Sequence, residues 1–363
     1  MDTAELSSEQ AGAGEAKRKG MGILGVALPV TALLAAVFAT TVAIAVLVPD
    51  DGDYAKASIL KHDLLAQDVP RKIVLVGGSN VSYGTDSTVI EAATGCPVVN
   101  MGMNGYFGVR FMMNEVRPHL NPGDTVVIAW EYDSFYKSVD GTNTDLLMVS
   151  KANPRVIRFL TTEQRLSAIS RFPFVAQQKI IRLMGQAYDN FTQMLGAEPD
   201  EPWAPVNIVD IEGAANFSRN GDLVGHIGID WPHDPVDAVD LSNLPMDQEI
   251  IPLMQEFIRE QNARGINVMI SWTPLLDTFF ARHEAEIERL NAQMDTVPEF
   301  LIPRPAREFK FDKSQHFDTV YHLNMHGRPI RSAMVAEDLI TQFGREAFCL
   351  ADTALTPTEG DTP

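Results

Sequence analysis

Three short blocks hold the residue types needed for a nucleophile, its base and the group that orients the base. The first is Gly77-Gly78-Ser79-Asn80, directly after the apolar run at 73–76. A serine at a strand end, with glycines that let the backbone turn tightly, can stand exposed as a nucleophile. The second is Asn100-Met101-Gly102-Met103-Asn104-Gly105, whose small residues let backbone N–H groups approach a developing oxyanion. The third is Asp318-Thr319-Val320-Tyr321-His322. There a carboxylate can orient an imidazole, and the imidazole can take the serine proton. Each block alone also has an ordinary reading: a turn from strand to helix, a loop, a surface ion pair. Their order and their positions after strands make the chemical reading the more specific one.

These blocks need elements to bring them together. Residues 73–76, 98–99 and 125–130 read as strands, apolar throughout in the last case, as expected for strands covered on both faces. Residues 107–120 read as a helix, and Asn121-Pro122-Gly123-Asp124 as a turn. Residues 248–263 carry apolar side chains at helical spacing, Ile251, Met254, Phe257 and Ile258, and end at Gly265. A strand at 266–272, a charged helix at 277–294, a short strand at 300–302 and a last helix at 329–343 follow. Strands alternating with helices predict an α/β fold with a mostly parallel sheet and helices on both faces. Ligands of such sheets bind outside the carboxyl ends of the strands. Residues 138–246 leave this rhythm. They are helical and basic at 156–195 and rich in Pro, Asn, Asp and Gly at 198–244, and they read as an insertion capping the site.

The order and wording of the blocks resemble the SGNH (GDSL-like) hydrolase superfamily over residues 71–136 and 265–343. That resemblance implies a flavodoxin-like three-layer sandwich. It makes Ser79 the nucleophile, with Gly78 where the family has aspartate, and makes His322 the base and Asp318 its orienter. The backbone N–H groups of Ser79 and Gly105 then bind the oxyanion. The last block is one residue longer than the family's Asp-x-x-His. The following Leu323-Asn324 and Gly327-Arg328 are similar to the membrane-anchored branch related to alginate O-acetyltransferases and to the D-alanine transfer protein of teichoic acid. The implied chemistry is hydrolysis or transfer of an acyl ester on an envelope or exported glycan. It needs no metal or organic cofactor, and the branch implies a membrane acyl-donor protein as partner. The alternative is a non-catalytic binding or scaffold protein of such an assembly. The third block departs from the family. It runs Ala129-Trp130-Glu131-Tyr132-Asp133, without the family's oxyanion asparagine. Asn104 and Tyr132 are the candidate replacements, and one lost donor costs about 2–4 kcal/mol of transition-state stabilisation. Glu131, Tyr132, Trp130 and Trp272 are candidates for the substrate cleft, the two tryptophans either as a sugar-stacking platform or as core. His316 is an alternative base. His226 and His233 with Asp222, Asp230 and Asp234 follow no standard metal-ligand spacing.

The rest of the 363-residue chain sets the context. A formal net charge of −19 argues against a nucleic-acid partner, which would require a basic face. Cys96 and Cys349 are too few for a disulfide scaffold and form either one disulfide or two buried thiols. Residues 21–48 carry no charge, follow Lys17, Arg18 and Lys19, and precede Asp50, Asp51 and Asp53. About 20 apolar residues span a bilayer. The run therefore reads as a signal anchor with the C-terminal domain outside the cytoplasm; a cleaved signal peptide is the alternative. The predicted organisation is a disordered tail at 1–20, the anchor at 21–48, a linker at 49–70, the α/β domain at 71–350 and a disordered tail at 351–363. The charge asymmetry predicts that an alkaline phosphatase fused after Pro70 is active and one fused after Gly20 is inactive. The opposite pattern would reverse the orientation.

Overall fold

Strands β1 (Ile73–Gly77), β2 (Val98–Asn100), β3 (Thr125–Ala129) and β4 (Asn267–Ile270) form one parallel sheet of order β2-β1-β3-β4. The computed structural model describes residues 23–48, 52, 54–195, 208–237, 239–242 and 244–350. The expected tails at 1–20 and 351–363, and part of the predicted linker and insertion, lie outside the described residues. The period of two along each strand assigns the side chains to two cores. Val74, Val76, Val126 and Ile128 join helices Val109–Val116 and Ile250–Ala263 on one face. Ile73, Leu75, Val127 and Met269 join helices Ser87–Thr94 and Gly327–Phe343 on the other. Every residue of β1 and β3 is buried, which accounts for their unbroken apolar sequence. Each such side chain contributes about 1.5–3 kcal/mol when fully removed from water.

The register fixes where the chain must turn. Ile73 lies opposite Val98 on one side and Thr125 on the other, and Gly77 lies opposite Ala129. β1 therefore connects to a neighbour on one side and β3 lies on the other. A crevice forms between their carboxyl ends, as at any topological switch point.

Several predicted elements change. The helix expected at 107–120 is only Val109–Val116. A 3₁₀ turn, Gly105–Phe107, takes its start, and Pro118 sits in a second turn, Arg117–His119, at its end. The charged helix at 277–294 breaks at His283 into Asp277–Arg282 and Glu284–Asp295. Residues 300–302 are not a strand; Leu301 accepts one backbone bond from Ile270, and Pro303 has no N–H to continue a ladder. Two short strands, β5 (Leu275–Leu276) and β6 (Lys310–Phe311), pair in parallel instead.

The insertion opens with helices Asn143–Ala152, Thr162–Ser170 and Phe172–Met194. Its later part is stitched to the sheet domain rather than standing off it. Asn100 N–H donates to the Asn220 carbonyl at 2.8 Å, Leu223 N–H to the Ser82 carbonyl at 3.0 Å, and Val236 N–H to the Asp318 carbonyl at 2.8 Å.

One described helix, Ile23–Leu47, is long and apolar enough to cross a membrane, with a mean hydropathy of 2.5 over Ala27–Leu47. Leu28, Leu33, Leu34 and Phe38 on it are exposed. Cys96 and Cys349 are joined in a disulfide, deciding between the two readings of these cysteines. An anchor or signal helix together with a disulfide favours a location outside the reducing cytoplasm. The bond closes a loop of 253 residues. Cys349→Ser should therefore lower the denaturation midpoint, with a loss of about 2–5 kcal/mol. An unchanged midpoint would show that the bond adds nothing to stability.

Candidate active site

Ser79 opens the short helix that follows β1, placing its hydroxyl at the switch-point crevice. Its Oγ lies 2.7 Å from His322 Nε2, although 243 residues separate them in sequence. His322 Nδ1 lies 2.7 Å from Asp318 Oδ1. The loop that carries both is held from two sides. Phe317 N–H donates to the His322 carbonyl at 2.8 Å and closes the five-residue block, so the extra residue between Asp318 and His322 is absorbed in a tight turn. Val236 of the insertion bonds the Asp318 carbonyl from outside. Tyr83 stacks on the imidazole, with ring centroids 3.9 Å apart and planes 2° from parallel. Its hydroxyl donates to Glu212 Oε1 at 2.8 Å.

Glu131 completes the group in an unexpected way. Its Oε1 accepts from Ser79 Oγ at 2.8 Å and from the Asn80 N–H at 3.0 Å. A Cβ at Gly78 would lie 2.6 Å from Oε1, and a Cβ at Gly105 would lie 2.4 Å from Oε2. The carboxyl group thus fills the space between Gly78, Gly105 and the Asn80 N–H, beside the serine oxygen. An oxyanion formed on Ser79 would need its donors in this space.

The other predicted site residues fare differently. Gly105 borders the Glu131 carboxylate. Asn104 is not a donor to this space: its Nδ2 bonds Asp145 at 3.0 Å and its Oδ1 accepts from Tyr106 N–H at 2.9 Å, so it caps the following turn. Tyr132, Trp130 and Trp272 belong to the core, none more than 2% exposed. Tyr132 stacks on Trp272 at 5.5 Å. Neither tryptophan forms a sugar platform, and Tyr132 does not replace the asparagine. Residues immediately after a strand alternate in direction, so Glu131 enters the crevice while Trp130 and Tyr132 turn into the interior.

His316 bonds the Asp312 carbonyl at 3.2 Å rather than Ser79, and burial pushes its pKa down to about 4. His226 bonds the Leu323 carbonyl at 3.1 Å, and burial, with Arg328 and His322 nearby, pushes it down to about 3. Asp222 is taken by Ser87 and Asn100. Among the described residues, no group of three or more His, Cys, Asp or Glu is placed to hold a metal ion.

Sequence reasoning missed Asn80, Tyr83 and Glu212. Asn80 follows the serine directly, and its side chain ties the turn to the Ala129 carbonyl at 3.1 Å and to Thr273 Oγ1 at 2.7 Å. Its place next to Ser79 was a usable signal. Tyr83 and Glu212 carried none, because they meet the site through contacts between distant segments.

The charges are unevenly shared. Burial and the neighbouring Asp133 raise the Glu131 pKa, against the stabilising Asn80 N–H, His322 and Ser79. Burial opposes the charge on His322, but Asp318, Glu131 and Glu212 outweigh it and raise the imidazole pKa. Burial likewise opposes the Asp318 carboxylate, but His322 outweighs it and holds that pKa below the usual range. At rest the imidazole is therefore biased toward its protonated form, flanked by carboxylates on both nitrogens, one of them through the Ser79 hydroxyl.

No known family model matches the chain, and no curated protein sequence matches it.

The electrostatics yield a direct test. His322, followed by NMR of its ring carbons, should titrate above the ordinary imidazole value of 6.5. Glu131→Gln and Asp318→Asn should each lower that titration. A His322 pKa indifferent to Glu131→Gln would mean that the carboxylate does not bear on the imidazole.

Proposed function

We propose that the chain is an extracytoplasmic serine esterase or O-acyltransferase of the SGNH type. In this reading it has a flavodoxin-like domain on a single-pass anchor and acts on acyl esters of an envelope or exported glycan. The observation that carries this reading is the unbroken chain Asp318–His322–Ser79, with links of 2.7 and 2.7 Å, at the carboxyl edge of a parallel sheet. Ser79 Oγ bonds to the acyl carbon as its proton passes to His322 Nε2 and the carbonyl electron pair moves to oxygen. Collapse restores the carbonyl and expels the alcohol, which takes the proton from His322. Water or a glycan hydroxyl then gives a proton to His322 and attacks the acyl-Ser79 ester. Ser79 leaves and recovers its proton. Asp318 orients the imidazole and stabilises its charge. A membrane acyl-donor protein is the partner that would load Ser79 in the transferase version.

Glu131 fits this scheme as a neutral acid. Moving the Nε2 proton of His322 to Ser79, and the Ser79 proton to Glu131, converts an imidazolium–carboxylate pair into an imidazole–carboxylic acid pair. Two hydrogen bonds of 2.7 and 2.8 Å already join the three groups. The neutral imidazole is then a base, and the carboxylic acid is a donor for the oxyanion where the family has asparagine. The second reading, a non-catalytic binding or scaffold protein, is favoured by the same carboxylate, because a permanently ionised Glu131 keeps an oxyanion out.

Labelling with a fluorophosphonate separates the two. Ser79→Ala should abolish labelling and His322→Ala should reduce it severely, since the hydroxyl is a weak nucleophile without its base. Glu131→Ala should slow it by about 10²–10³-fold, as for loss of an oxyanion donor. Glu131→Gln, a neutral donor of the same shape, should retain activity and stay active at higher pH, where wild-type Glu131 loses its proton. A folded chain with neither labelling nor turnover of an activated acetyl ester would leave the scaffold reading. Faster acyl transfer to an added oligosaccharide than hydrolysis would select the transferase.

A further inference from the structure

Helix Phe172–Met194 has an apolar face that nothing in the described structure covers. Phe174, Ile181, Met184, Tyr188, Phe191 and Leu195, just past its end, follow one another at intervals of three, four or seven residues and are all exposed, Met184 by 67% and Phe191 by 58%. Polar and charged residues, Lys179, Arg182, Gln186, Asp189 and Gln193, take another side. Such a stripe on a soluble domain marks a contact surface.

Its position says what it contacts. Lys179 of this helix is buried and donates to the carbonyls of Ala45 and Val48, at the end of the apolar helix Ile23–Leu47. A lysine at a helix C-terminus satisfies its free carbonyls and its dipole. The exposed stripe is thereby held directly beside the point where the spanning helix leaves the bilayer. The same helix walls a cleft of about 600 Å³, which Phe174 and Ile181 line together with Tyr54 and Met148. The cleft reaches Asn104, next to Gly105, and Glu212, which holds the tyrosine stacked on His322. The helix side of its wall sets Phe174, Val175 and Ile181 beside Gln178, Lys179 and Arg182, and Asn104, Asp145 and Glu212 add polar groups to the lining.

We propose that the apolar stripe of helix Phe172–Met194 is embedded in the outer part of the bilayer, and that the cleft admits a lipid-borne substrate: an amphiphile with a hydrocarbon chain and an ester-bearing polar head. The first half stands on the stripe and the Lys179 clamp. The second half rests on the esterase reading of Ser79. An amphipathic helix binds an interface through its buried apolar area. Here it is covalently tethered to the spanning segment, so it needs little affinity of its own. A substrate with its chain in the outer leaflet then meets the cleft by diffusion in two dimensions.

The test uses the full-length chain in phosphatidylethanolamine–phosphatidylglycerol vesicles. The native cysteines are joined to each other, so Met184→Cys and Phe191→Cys can be labelled singly with an environment-sensitive fluorophore, and Glu284→Cys serves as an aqueous control. Positions 184 and 191 should emit at shorter wavelength, be quenched by lipids brominated in their acyl chains and resist iodide; position 284 should do the reverse. Probes at 184 and 191 that respond to iodide and not to bromolipid would overturn membrane contact and leave a protein partner as the occupant. In a second arm, the double change Met184→Glu and Phe191→Glu should cut turnover of a long-chain ester carried in the vesicles by about tenfold or more, as loss of two apolar contacts implies. Labelling of Ser79 and cleavage of a water-soluble acetyl ester should stay at the wild-type level. Unchanged vesicle turnover would overturn the entrance role. If Ser79 is unreactive in every chain, the esterase reading and the entrance fail together, while the quenching data still decide membrane contact.

Discussion

A carboxyl group held against a serine hydroxyl in a nearly closed crevice is the constraint on which the rest of the site depends. The Glu131 side chain is 7% exposed as a residue and takes hydrogen bonds from Ser79 Oγ and the Asn80 N–H. Room for it exists only because positions 78 and 105 lack side chains, as a Cβ at either would collide with the carboxyl oxygens. The turn that aims the Asn80 N–H is braced in its turn: the Asn80 amide reaches Ala129 and Thr273, and Thr273 reaches the Trp130 carbonyl at 2.6 Å. These bonds tie the ends of β1 and β3 to the segment after β4. The parallel register of the sheet thus carries directly into the position of one carboxylate.

The electrostatics follow from the same placement. A buried carboxylate is costly unless it is paired or hydrogen-bonded. Glu131 is both: it has two donors and, across the serine, an imidazole whose own partner is a second carboxylate. The arrangement is symmetric in charge about His322. In a conventional triad only one carboxylate faces the imidazole, and the serine side is left to the substrate. Here the second carboxylate raises the imidazole pKa and fills the space by Gly78 and Gly105 that an oxyanion would need, so in the ionised state it works against the proposed reaction on both counts. One proton moved onto Glu131 reverses both effects together. In the proposed chemistry the protonation state of this residue is therefore a switch between a resting and a competent site, without any change of backbone.

Much of the fold was legible because its signals are local. The unbroken apolar strands, the turn at Asn121–Asp124 and the glycine after helix Ile250–Ala263 each follow from short-range geometry, and they place the blocks at strand ends. The pairing of Ser79 with His322 and Asp318 could be anticipated from the order of those blocks. The destination of side chains just beyond β3 could not. Trp130, Glu131 and Tyr132 are consecutive, and only the direction of the strand as it leaves the sheet decides which one enters the crevice. Asn104 is a similar case: its side chain caps its own turn instead of facing a ligand, the common fate of asparagine before a tight turn. The disulfide had no local signal either, since its halves lie 253 residues apart.

The insertion shows most clearly why chain order is a poor guide to the site. By rhythm it is an interruption between β3 and β4. In space it supplies Glu212, which fixes Tyr83 over the imidazole, and Val236, which fixes the Asp318 carbonyl. It also supplies the helix whose Lys179 bonds the end of the apolar helix Ile23–Leu47. A single stretch of chain thus touches Asp318 directly, His322 through Tyr83, and the end of helix Ile23–Leu47. The imidazole is stacked by Tyr83, bonded by Ser79 and Asp318 and charged by Asp318, Glu131 and Glu212, so four separate segments of chain set its surroundings, one of them from the insertion.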